Sequence, residues 1–454
     1  MREAVSAPRA PRFGLLLGLL ALLAFVVREH YVLTAIVDHP VRGDIREYVF
    51  YAWNVVEHHV FGSTPPPGVP VPDDYRMPGY PWLIALGMRL FPQDPSWITL
   101  GGWYPFVLQV QVLLGTLTVV LTTLLARQWL SATWSIAAGL LLALWPHHVA
   151  ATNTLLSEVL FGFCMMAALY AFARGWRSRR AAWFVLTGIA FGYAYLVNPL
   201  VLLFPPCLAL LMFVRGARVP AAVLLGVFLL PVVAMGVRNA QIEGAGRGTD
   251  RALLNFVQGS WPDYHQAANL LRLGDPTAVA ITHEIDAEHA TLRRDASAGL
   301  TRMGERMAAD PAMYLKWYAT KPWMLWGWRI RIGATDIAYH DVRRSPFDRP
   351  GALRTLLVTY RTLNPLLTTL ALIAALTLTL AALRRDANLP VVATGALALY
   401  VTLVHVVLQA EPRYAIAYRG LEAVLVMTAL SCITDLARRR RSSDAINSTG
   451  HKVA

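Results

Sequence analysis

The sequence predicts an all-α protein that crosses a membrane about ten times, and three observations support this fold class. Of its 454 residues, 56% are hydrophobic and only 15% are charged, whereas soluble domains carry about 25% charged residues. Ten apolar stretches have about the length that a bilayer-spanning helix requires, which is about 20 residues. The charged residues concentrate between those stretches, as expected because a charge at bilayer depth is costly.

The ten spans are predicted from the apolar windows, and particular residues explain an interruption in the first span and the boundary between the fifth and sixth. The ten spans are 13–36, 103–126, 132–150, 155–173, 181–198, 199–214, 219–237, 356–382, 389–408 and 413–436. Arg28 and the two residues after it interrupt the first span near its outer end. No small-residue cleavage site precedes Arg28, so we expect an uncleaved span rather than a signal peptide. Asn198-Pro199 separates the fifth and sixth spans and predicts a tight turn.

The distribution of arginine predicts the orientation of these spans. If the N-terminus is cytoplasmic, all the short arginine-rich loops are cytoplasmic too, as the positive-inside rule requires. Those loops contain Arg127, residues 174–180, Arg215 with Arg218, Arg384 with Arg385, and residues 438–441. The net charge of +13 does not indicate a nucleic-acid-binding protein, because no basic stripe is interleaved with aromatic residues. Contact with anionic lipid headgroups accounts for the basic runs better.

This threading divides the chain into five parts. They are a cytoplasmic N-terminal tail (1–12), a transmembrane module (13–237) with a first outer loop (37–102), a second outer loop with an interfacial helix (238–355), C-terminal transmembrane helices (356–436) and a cytoplasmic basic tail (437–454). The interfacial helix is predicted from the aromatic density of residues 311–328. The polar residues from Ser442 onward are expected to be disordered.

Candidate site residues begin in the first outer loop. On a helix that starts near Asp44, four polar positions share one face: Asp44, Tyr48, Tyr51 and His58. Asp44 could cap that helix by accepting from its free N–H groups, or it could be a catalytic carboxylate. Glu47 lies one turn further along. The sequence alone leaves both roles of Asp44 open.

An arginine follows on the segment that returns to the membrane, in Arg76-Met77-Pro78-Gly79-Tyr80-Pro81. The prolines and the glycine predict a rigid turn. Arg76 could bind a phosphate or carboxylate through its forked N–H groups, or extend its charge to the lipid headgroups. The neighbouring Asp73-Asp74 pair lacks the spacing of an Asp-x-Asp metal motif, and we expect a solvated turn there.

The remaining candidates lie in other outer segments. Glu158 opens an apolar span, where it either caps the helix or faces a cavity. In the element Glu411-Pro412-Arg413-Tyr414, Glu411 and Arg413 could pair with each other, or Arg413 could face a phosphate. Lys321 could assist a phosphate or bind headgroups. The pair His147-His148 has no evident third metal ligand, so no metal and no cofactor are predicted.

The order of these motifs resembles the GT-C glycosyltransferases, in particular the bacterial relatives of the protein O-mannosyltransferases and of the lipid A aminoarabinose transferase. The likeness is carried by Gly43-Asp44 with Glu47-Tyr48, by Arg76 to Pro81, by Ser157-Glu158 and by Glu411 to Tyr414. It is best over about the first 240 residues. The mannosyltransferases have adjacent Asp and Glu, whereas here Glu47 lies three residues after Asp44.

The resemblance implies a bacterial inner-membrane enzyme with both termini in the cytoplasm. Its donor would be a polyprenyl-phosphate-linked sugar, and its acceptor a glycan, lipid or protein on the outer side. By resemblance Asp44 is the catalytic base, and the positions expected to bind substrate are Glu47, Tyr48, His58, Arg76, Tyr80, Glu158, Lys321 and Arg413. Arg76, Arg413 and Lys321 would stabilise the charge of the leaving phosphate.

Two other classes of protein compete with this hypothesis. A transporter or lipid flippase usually has ionisable residues near the midplane and repeated halves. Here the ionisable residues cluster at the outer edge and no internal repeat is visible, which favours an enzyme. A non-catalytic membrane subunit of an envelope assembly is the third possibility, and a transfer assay would distinguish it.

Overall fold

The computed structural model describes residues 10–92, 100–244 and 246–450. In this part of the chain the helices are α1 (Ala10–Thr34), α2 (Asp44–His58), α3 (Gly79–Leu90), α4 (Trp103–Ala126), α5 (Ala132–Ala143), α6 (Pro146–Ala150), α7 (Glu158–Ser178), α8 (Ala181–Val197), α9 (Phe204–Val214), α10 (Arg218–Ala240), α11 (Arg247–Gly259), α12 (Tyr264–Leu270), α13 (Pro276–Arg294), α14 (Ala296–Ala309), α15 (Pro311–Leu325), α16 (Ala352–Leu380), α17 (Leu389–Val407), α18 (Pro412–Ala415) and α19 (Arg419–Gly450). Two short strands, β1 (Ile36–Val37) and β2 (Val342–Arg343), pair with each other.

The prediction of an all-α, multi-pass membrane protein is confirmed. Within the described residues, seven helices are long and apolar enough to cross a membrane: α1, α4, α7, α10, α16, α17 and the α18–α19 unit. The α5–α6 pair, bent by 56°, would be an eighth span. The remaining predicted spans coincide with α8 and with the Pro199–Val214 segment, which are apolar but shorter. The structure therefore supports seven to eight spans by length, and the predicted number of ten is not confirmed.

The interior of the bundle forms around α7, which is the most buried of the spanning helices. It packs against α4 and α8, while α19 packs against α4, α5 and α16. Helices α1, α10 and α16 lie at the periphery and expose many large apolar side chains. Such a surface suits contact with lipid, because a soluble protein rarely exposes a continuous apolar face of this size.

The second outer loop folds into five helices, α11 to α15, with a small apolar core of Val257, Ile285, Leu292 and Met303. Aspartates begin three of these helices: Asp275, Asp295 and Asp310 each accept a hydrogen bond from the backbone N–H three residues later. A short aspartate satisfies one of the free N–H groups at a helix start, which explains the sharp breaks between helices. The predicted interfacial helix corresponds to α15.

The start of the first outer loop is joined to the end of the second. β1 and β2 form an antiparallel pair in which Ile36 lies opposite Arg343 and Val37 opposite Val342. Arg343 Nη2 also lies 2.7 Å from Asp38 Oδ1. As a result the segment before β2 lies beside the beginning of α2, where Asp44 is.

A buried ion pair anchors the end of α15 in the membrane bundle. Arg419 and Glu422 are fully buried and 2.5 Å apart, and Arg419 also donates to the carbonyl oxygens of Trp326 and Gly327. Further hydrogen bonds make a buried ion pair more tolerable. Here the free carbonyls after α15 accept from both terminal nitrogens of Arg419, while its Nε has no partner among the described residues. The apolar stretch 413–436, from which this span was predicted, gave no indication of the Arg419–Glu422 pair.

Helix α19 has its C-terminal bound at Gly450. The disorder predicted from Ser442 onward concerns residues 442–454, which lie outside the part of the chain whose side-chain placement is described. The outermost parts of both predicted tails, 1–9 and 451–454, lie outside the described residues.

Candidate active site

Asp44 is the first residue of α2. It follows Gly43, whose backbone conformation would be strained with any other residue. Gly43 has φ of 59°, a conformation that costs other residues about 1 kcal/mol or more. A Cβ atom at Gly43 would also lie 2.8 Å from the Tyr339 hydroxyl. Helix α2 has no side-chain cap at its N-cap position. The Asp44 carboxylate is directed toward two arginines, so of the two roles left open by the sequence, simple capping is not the one observed.

Those two arginines each take one oxygen of the Asp44 carboxylate. Arg76 Nη2 lies 2.9 Å from Asp44 Oδ1, and Arg413 Nη2 lies 2.8 Å from Asp44 Oδ2. Arg76 precedes α3 and Arg413 belongs to α18. Three distant parts of the sequence therefore meet at one carboxylate.

Two further carboxylates extend this arrangement on either side. Arg76 Nε lies 2.5 Å from Glu47 Oε2, and Arg413 Nε lies 3.2 Å from Glu158 Oε1. The result is a continuous alternation of charge, Glu47–Arg76–Asp44–Arg413–Glu158. The Arg76 and Arg413 side chains are 3% and 12% exposed, whereas that of Asp44 is 34% exposed. Asp44 is thus the group that a substrate reaches most directly.

The arginines determine the protonation of Asp44. Burial raises the pKa of this carboxyl, but the charges and hydrogen bonds of Arg413 and Arg76 lower it by more, so the pKa lies well below its ordinary value. The pKa of Arg76 is raised by Tyr48, Asp44 and Glu47 even though burial lowers it. Asp44 is therefore a carboxylate at neutral pH, and it is a weak base while both arginines hold it.

Aromatic rings line the outer faces of the two guanidinium groups. Arg413 Cζ lies 4.5 Å from the ring centre of Tyr339 and 5.4 Å from that of Tyr414. Arg76 Cζ lies 5.1 Å from the ring centre of Tyr48 and 5.4 Å from that of Tyr75. Cation–π contacts of this kind fix the orientation of an arginine. Sequence reasoning missed Tyr339 as a site residue, because nothing in its spacing indicated that it would lie on Arg413.

Tyr80 supports the site from behind. It is fully buried, and its ring lies edge-on to Tyr48 at 5.2 Å. Its hydroxyl donates to Gln111 Oε1 at 2.9 Å, and the Gln111 amide donates to the carbonyl oxygens of Thr152 and Thr154, both at 3.1 Å. Tyr80 was predicted to bind substrate, but in this structure it is buried and presents no surface to a ligand. It instead links Tyr48, whose ring contacts Arg76, to the turn before Glu158 through Gln111.

Two other predicted site residues lie apart from the cluster. His58 is exposed in the last turn of α2. It lies fourteen positions after Asp44, which corresponds to about 21 Å along the helix at about 1.5 Å per residue. Lys321 is fully buried and donates to the carbonyl oxygens of Gly259 (2.8 Å) and Leu408 (2.5 Å). Burial lowers the pKa of Lys321 to about 7. Lys321 therefore joins α11 to the end of α17 and does not belong to the Asp44 cluster.

Asp73 also differs from its prediction as part of a solvated turn. It is buried and accepts hydrogen bonds from the Tyr51 hydroxyl, the Ser63 backbone and hydroxyl, and the Tyr75 backbone. The carboxylate thereby organises the loop that leads to Arg76. Because Asp73 accepts from so many donors of this loop, its role is structural. The Asp73-Asp74 sequence alone did not indicate this role.

Glu411 does not pair with Arg413, although the two are separated by a single residue. Glu411 Oε1 accepts from the backbone N–H of Arg331 at 2.6 Å, and Oε2 lies 3.4 Å from His265 Nε2. Burial raises the pKa of Glu411 to about 7. Its carboxylate holds the segment that follows α15, which leaves Arg413 to Asp44 and Glu158.

Metal-ligand geometry is not evident in the described residues, where no group of three or more His, Cys, Asp or Glu side chains could hold a metal ion. The histidine pair has other partners. His147 Nε2 lies 2.7 Å from the Trp328 carbonyl oxygen, and His148 Nδ1 lies 2.7 Å from Arg28 Nη2. Both are buried and belong to the interior of the bundle.

A small cavity of about 20 Å³ lies beside Arg413. One wall comes from the segment between α6 and α7 and the other from the segment after α15. Its lining residues are Ala150, Ala151, Thr154, Leu156, Glu158, Ile330, Ile337, Ala338, Tyr339, Arg413 and Ile416. The charge cluster thus adjoins a largely apolar pocket.

The sequence is similar to one known family over part of its length. The family described as dolichyl-phosphate-mannose-protein mannosyltransferase matches residues 71–237. This region contains Arg76 and Glu158, whereas Asp44 and Arg413 lie outside it. No curated protein matches the chain.

The chain is also similar to several solved structures. The oligosaccharyltransferase of Archaeoglobus fulgidus, tethered with an acceptor peptide, has a TM-score of 0.52 and 14% identity over 95% of this chain and 50% of that one. The same enzyme, AglB, in complex with an inhibitory peptide and a dolichol-phosphate, has a TM-score of 0.49 and 14% identity over 96% and 52% of the two chains. ArnT from Cupriavidus metallidurans, bound to undecaprenyl phosphate, has a TM-score of 0.37 and 15% identity over 93% and 78%.

The likeness to the archaeal oligosaccharyltransferase establishes the fold alone. The chain spans about half the length of the archaeal oligosaccharyltransferase that it matches. The predicted all-α, multi-pass membrane architecture agrees with this fold.

Proposed function

We propose that this chain is an integral membrane glycosyltransferase that moves a sugar from a polyprenyl-phosphate donor to an acceptor outside the membrane. The observation that carries the proposal is the contact of Arg76 and Arg413 with the two oxygens of Asp44. One point in the structure thus combines a carboxylate that can take a proton with two cations that can hold a phosphate. The resemblance to the GT-C glycosyltransferases and the match to a family named for a dolichyl-phosphate donor support this assignment.

The donor phosphate would bind by exchange. Arg76 and Arg413 present N–H groups whose geometry suits a phosphate as well as a carboxylate. The Asp44 oxygens now occupy two of those donors. When the phosphodiester of the donor takes their place, Asp44 loses its ion pairs, and its pKa rises toward the ordinary value.

This exchange resolves the weakness of Asp44 as a base. Its depressed pKa makes proton transfer to it unfavourable in the free protein, because efficient general bases have a pKa near the working pH. The donor therefore activates the base by removing its cationic partners. Glu47 and Glu158 remain on the far sides of Arg76 and Arg413, where they keep both guanidinium groups in place.

The chemical step follows from these positions. An acceptor hydroxyl oxygen attacks the anomeric carbon of the sugar and gives its proton to the Asp44 carboxylate. The bond between the anomeric carbon and the phosphate oxygen breaks, and the polyprenyl phosphate leaves with the electron pair. The added negative charge develops between Arg76 and Arg413, where preorganised donors stabilise it most effectively.

The side of the membrane follows from the same residues. The contact of Asp44 with Arg413 sets both at one end of the bundle, and the positive-inside rule assigns that end to the outer face. We therefore propose a bacterial inner-membrane location with both termini in the cytoplasm. The acceptor, whether a glycan, a lipid or a protein, would then be periplasmic.

Mass spectrometry of envelope glycans tests this function even while the sugar is unidentified. A strain that lacks the chain would be complemented with the wild type, with Asp44→Asn, or with Asp286→Asn as a matched control at an exposed aspartate. We expect one glycan mass to disappear in the deletion and in Asp44→Asn, because loss of a general base costs about 10²- to 10⁴-fold in rate. Unchanged glycans in both would overturn the proposal, and substrate transport by reconstituted vesicles would favour a transporter.

A further inference from the structure

We propose that Arg251 and Arg247, together with the ring of Tyr75, form a second anion site beside Arg76. The site takes a phosphate-sized anion in addition to the donor phosphate that Arg76 and Arg413 bind. This anion is either a second phosphate of a diphosphate-linked donor or an acidic group of the acceptor. The inference rests on the proposed function, because it presumes that a lipid-linked phosphate binds at Arg76 and Arg413.

Three guanidinium groups surround the Tyr75 ring. Arg76 Cζ lies 5.4 Å from the ring centre, and the Cζ atoms of Arg247 and Arg251 each lie 5.5 Å from it. The ring attracts each cation, but the three cations repel one another. An anion bound among them removes this repulsion, and the forked N–H groups of arginine suit a phosphate or carboxylate.

Arg251 is the least engaged of the three arginines. It is partly exposed and contacts the Tyr75 ring. In the described part of the chain it forms no ion pair and donates no hydrogen bond. The adjacent Asp250 carboxylate lies instead 3.1 Å from His289 Nε2 and 3.5 Å from Arg293 Nη1. The N–H groups of Arg251 are therefore available to a ligand.

The start of α11 fixes where Arg251 lies. Asp74 accepts hydrogen bonds from the backbone N–H groups of Gly246 and Arg247, at 2.8 and 3.0 Å. Gly248 approaches the same loop so closely that a Cβ atom would lie 2.7 Å from the Asp74 carbonyl oxygen. Arg251 follows Arg247 by about one helical turn, so the two side chains share a face of α11. Backbone contacts thus hold both arginines beside this loop.

The other carboxylates near this site already have partners. Glu47 Oε2 lies 2.5 Å from Arg76 Nε. Asp73 accepts from donors of its own loop, and its Oδ2 also lies 3.3 Å from Arg247 Nη1. The charge of Arg247 is thus partly neutralised, and Arg251 supplies the charge that an incoming anion meets.

A purely structural role for Arg251, as packing between α11 and the Tyr75 loop, makes a different prediction. Loss of the guanidinium group would then lower Tm and leave anion binding unchanged. A second anion site predicts that binding of one particular anion is lost while the phosphate site at Arg76 and Arg413 is kept.

Titration calorimetry with three phosphate compounds distinguishes these roles. Citronellyl phosphate, a short isoprenoid monophosphate, reports on Arg76 and Arg413. Citronellyl diphosphate adds a second phosphate to the same lipid. Inorganic phosphate is titrated into protein that is already saturated with citronellyl phosphate, and it represents an anion that is not part of the donor.

The variants are Arg251→Gln, which removes the charge, and Arg251→Lys, which keeps it without the forked geometry. Arg247→Gln tests the site independently if Arg251→Gln does not fold. Arg294→Gln is the control, because it removes the same charge from an exposed position of α13. Tm values of the unliganded proteins identify any variant that fails to fold.

We expect one of two responses in the wild type. Citronellyl diphosphate binds about tenfold more tightly than the monophosphate, as one charge-assisted hydrogen bond can provide, which assigns the second anion to the donor. Alternatively, inorganic phosphate binds to the lipid-saturated protein, which assigns the anion to the acceptor. Arg251→Gln should abolish the response, Arg251→Lys should keep part of it, and Arg294→Gln should keep all of it. Citronellyl phosphate affinity should stay within about twofold in all of them, because solvent screens a charge that does not contact the phosphate.

Two results would overturn this inference while leaving the proposed function in place. One is a wild type that binds citronellyl phosphate but shows neither response to a second anion. The other is a full response in folded Arg251→Gln and Arg247→Gln proteins, which would reduce both arginines to packing. If the wild type does not bind citronellyl phosphate at all, the proposed function fails, and this inference fails with it.

Discussion

Arg413 Nη2 lies 2.8 Å from Asp44 Oδ2, although 369 positions separate the two residues in sequence. The contact joins the first outer loop to the last outer turn and closes the charge cluster. Arg76 holds the other oxygen of Asp44. Because both oxygens are paired with arginines, Asp44 is a weak base when no substrate is bound. This relationship leads to predictions about binding, stability and pH dependence.

Arg413→Ala should weaken binding of citronellyl phosphate by about tenfold or more, because a charge-assisted hydrogen bond is worth about 1.5–3 kcal/mol. Arg413→Lys should recover only part of the loss, since an ammonium group lacks the forked geometry. Titration calorimetry of the purified protein measures both. Arg302→Ala, at an exposed arginine of α14 that pairs with Glu284, is the control. Equal affinity for all four proteins would show that Arg413 does not bind the phosphate.

Gly43→Ala should lower both Tm and transfer. The positive φ of Gly43 and the nearby Tyr339 hydroxyl each oppose a side chain there, and the strained backbone alone costs about 1 kcal/mol or more. Gly304→Ala is the matched comparison: it lies in α14 with nothing within 4 Å of a new Cβ, and we expect it to stabilise by about 0.4–1 kcal/mol. Thermal unfolding in detergent separates the two. A Gly43→Ala protein as stable and active as the wild type would remove the geometric argument for this turn.

Lys321→Met should destabilise the protein and leave its phosphate affinity unchanged. Lys321 donates to the carbonyl oxygens of Gly259 and Leu408 in a buried setting. The Gly259 oxygen also accepts from the Trp317 indole N–H, so the loss of Lys321 leaves the Leu408 oxygen unsatisfied at a cost of about 1–3 kcal/mol. Tm and citronellyl phosphate affinity are measured on the same preparation. A large loss of affinity in a protein with normal Tm would restore Lys321 as a phosphate-binding residue.

Glu411 should make stability depend on pH. Burial raises its pKa from 4.5 to about 7 in the folded protein, so its protonated form favours folding. That contribution is complete below about pH 4.5 and is lost as the pH rises through about 7, with a total on the order of 3 kcal/mol.

His265 opposes this trend, since burial, Arg331 and Lys321 lower its pKa to about 4 and its contribution to stability increases from about pH 4 to 6.5. The comparison of wild type with Glu411→Gln isolates the carboxyl, because His265 is common to both. The Tm difference, wild type minus variant, should decrease from pH 5 to pH 8. A constant difference would show that Glu411 does not titrate in this range.

The fold was largely predictable because apolar length and arginine placement are direct consequences of the bilayer. The predicted spans at α8 and at α5–α6 stay unconfirmed by length, because one helix is short and the other pair is bent. Apolar length also gave no sign of the Arg419–Glu422 pair, since the many apolar residues of the span outweigh two charged ones in an average and the average does not show that they pair.

The site was predictable only as a list of candidates. Asp44, Arg76, Glu158 and Arg413 were each unusual in their local sequence, and the structure brings them together. Helical periodicity correctly placed His58 on the same face of α2 as Asp44. It did not show how far His58 lies from the cluster, because one face of a helix runs along its whole length. Tyr339 comes from a loop whose position depends on the β1–β2 pair and on Glu411, and these long-range contacts have no signature in local sequence.

The central claim, that Asp44 is the base and shares its arginines with the donor phosphate, is tested most directly by one paired measurement on Asp44→Asn. Citronellyl phosphate affinity and sugar transfer are determined on the same folded protein. We predict opposite changes: the neutral asparagine releases Arg76 and Arg413, so the lipid phosphate binds more tightly, while transfer falls by about 10²- to 10⁴-fold. Asp44→Asn protein that transfers sugar at the wild-type rate, or that binds the lipid phosphate more weakly, would contradict this account.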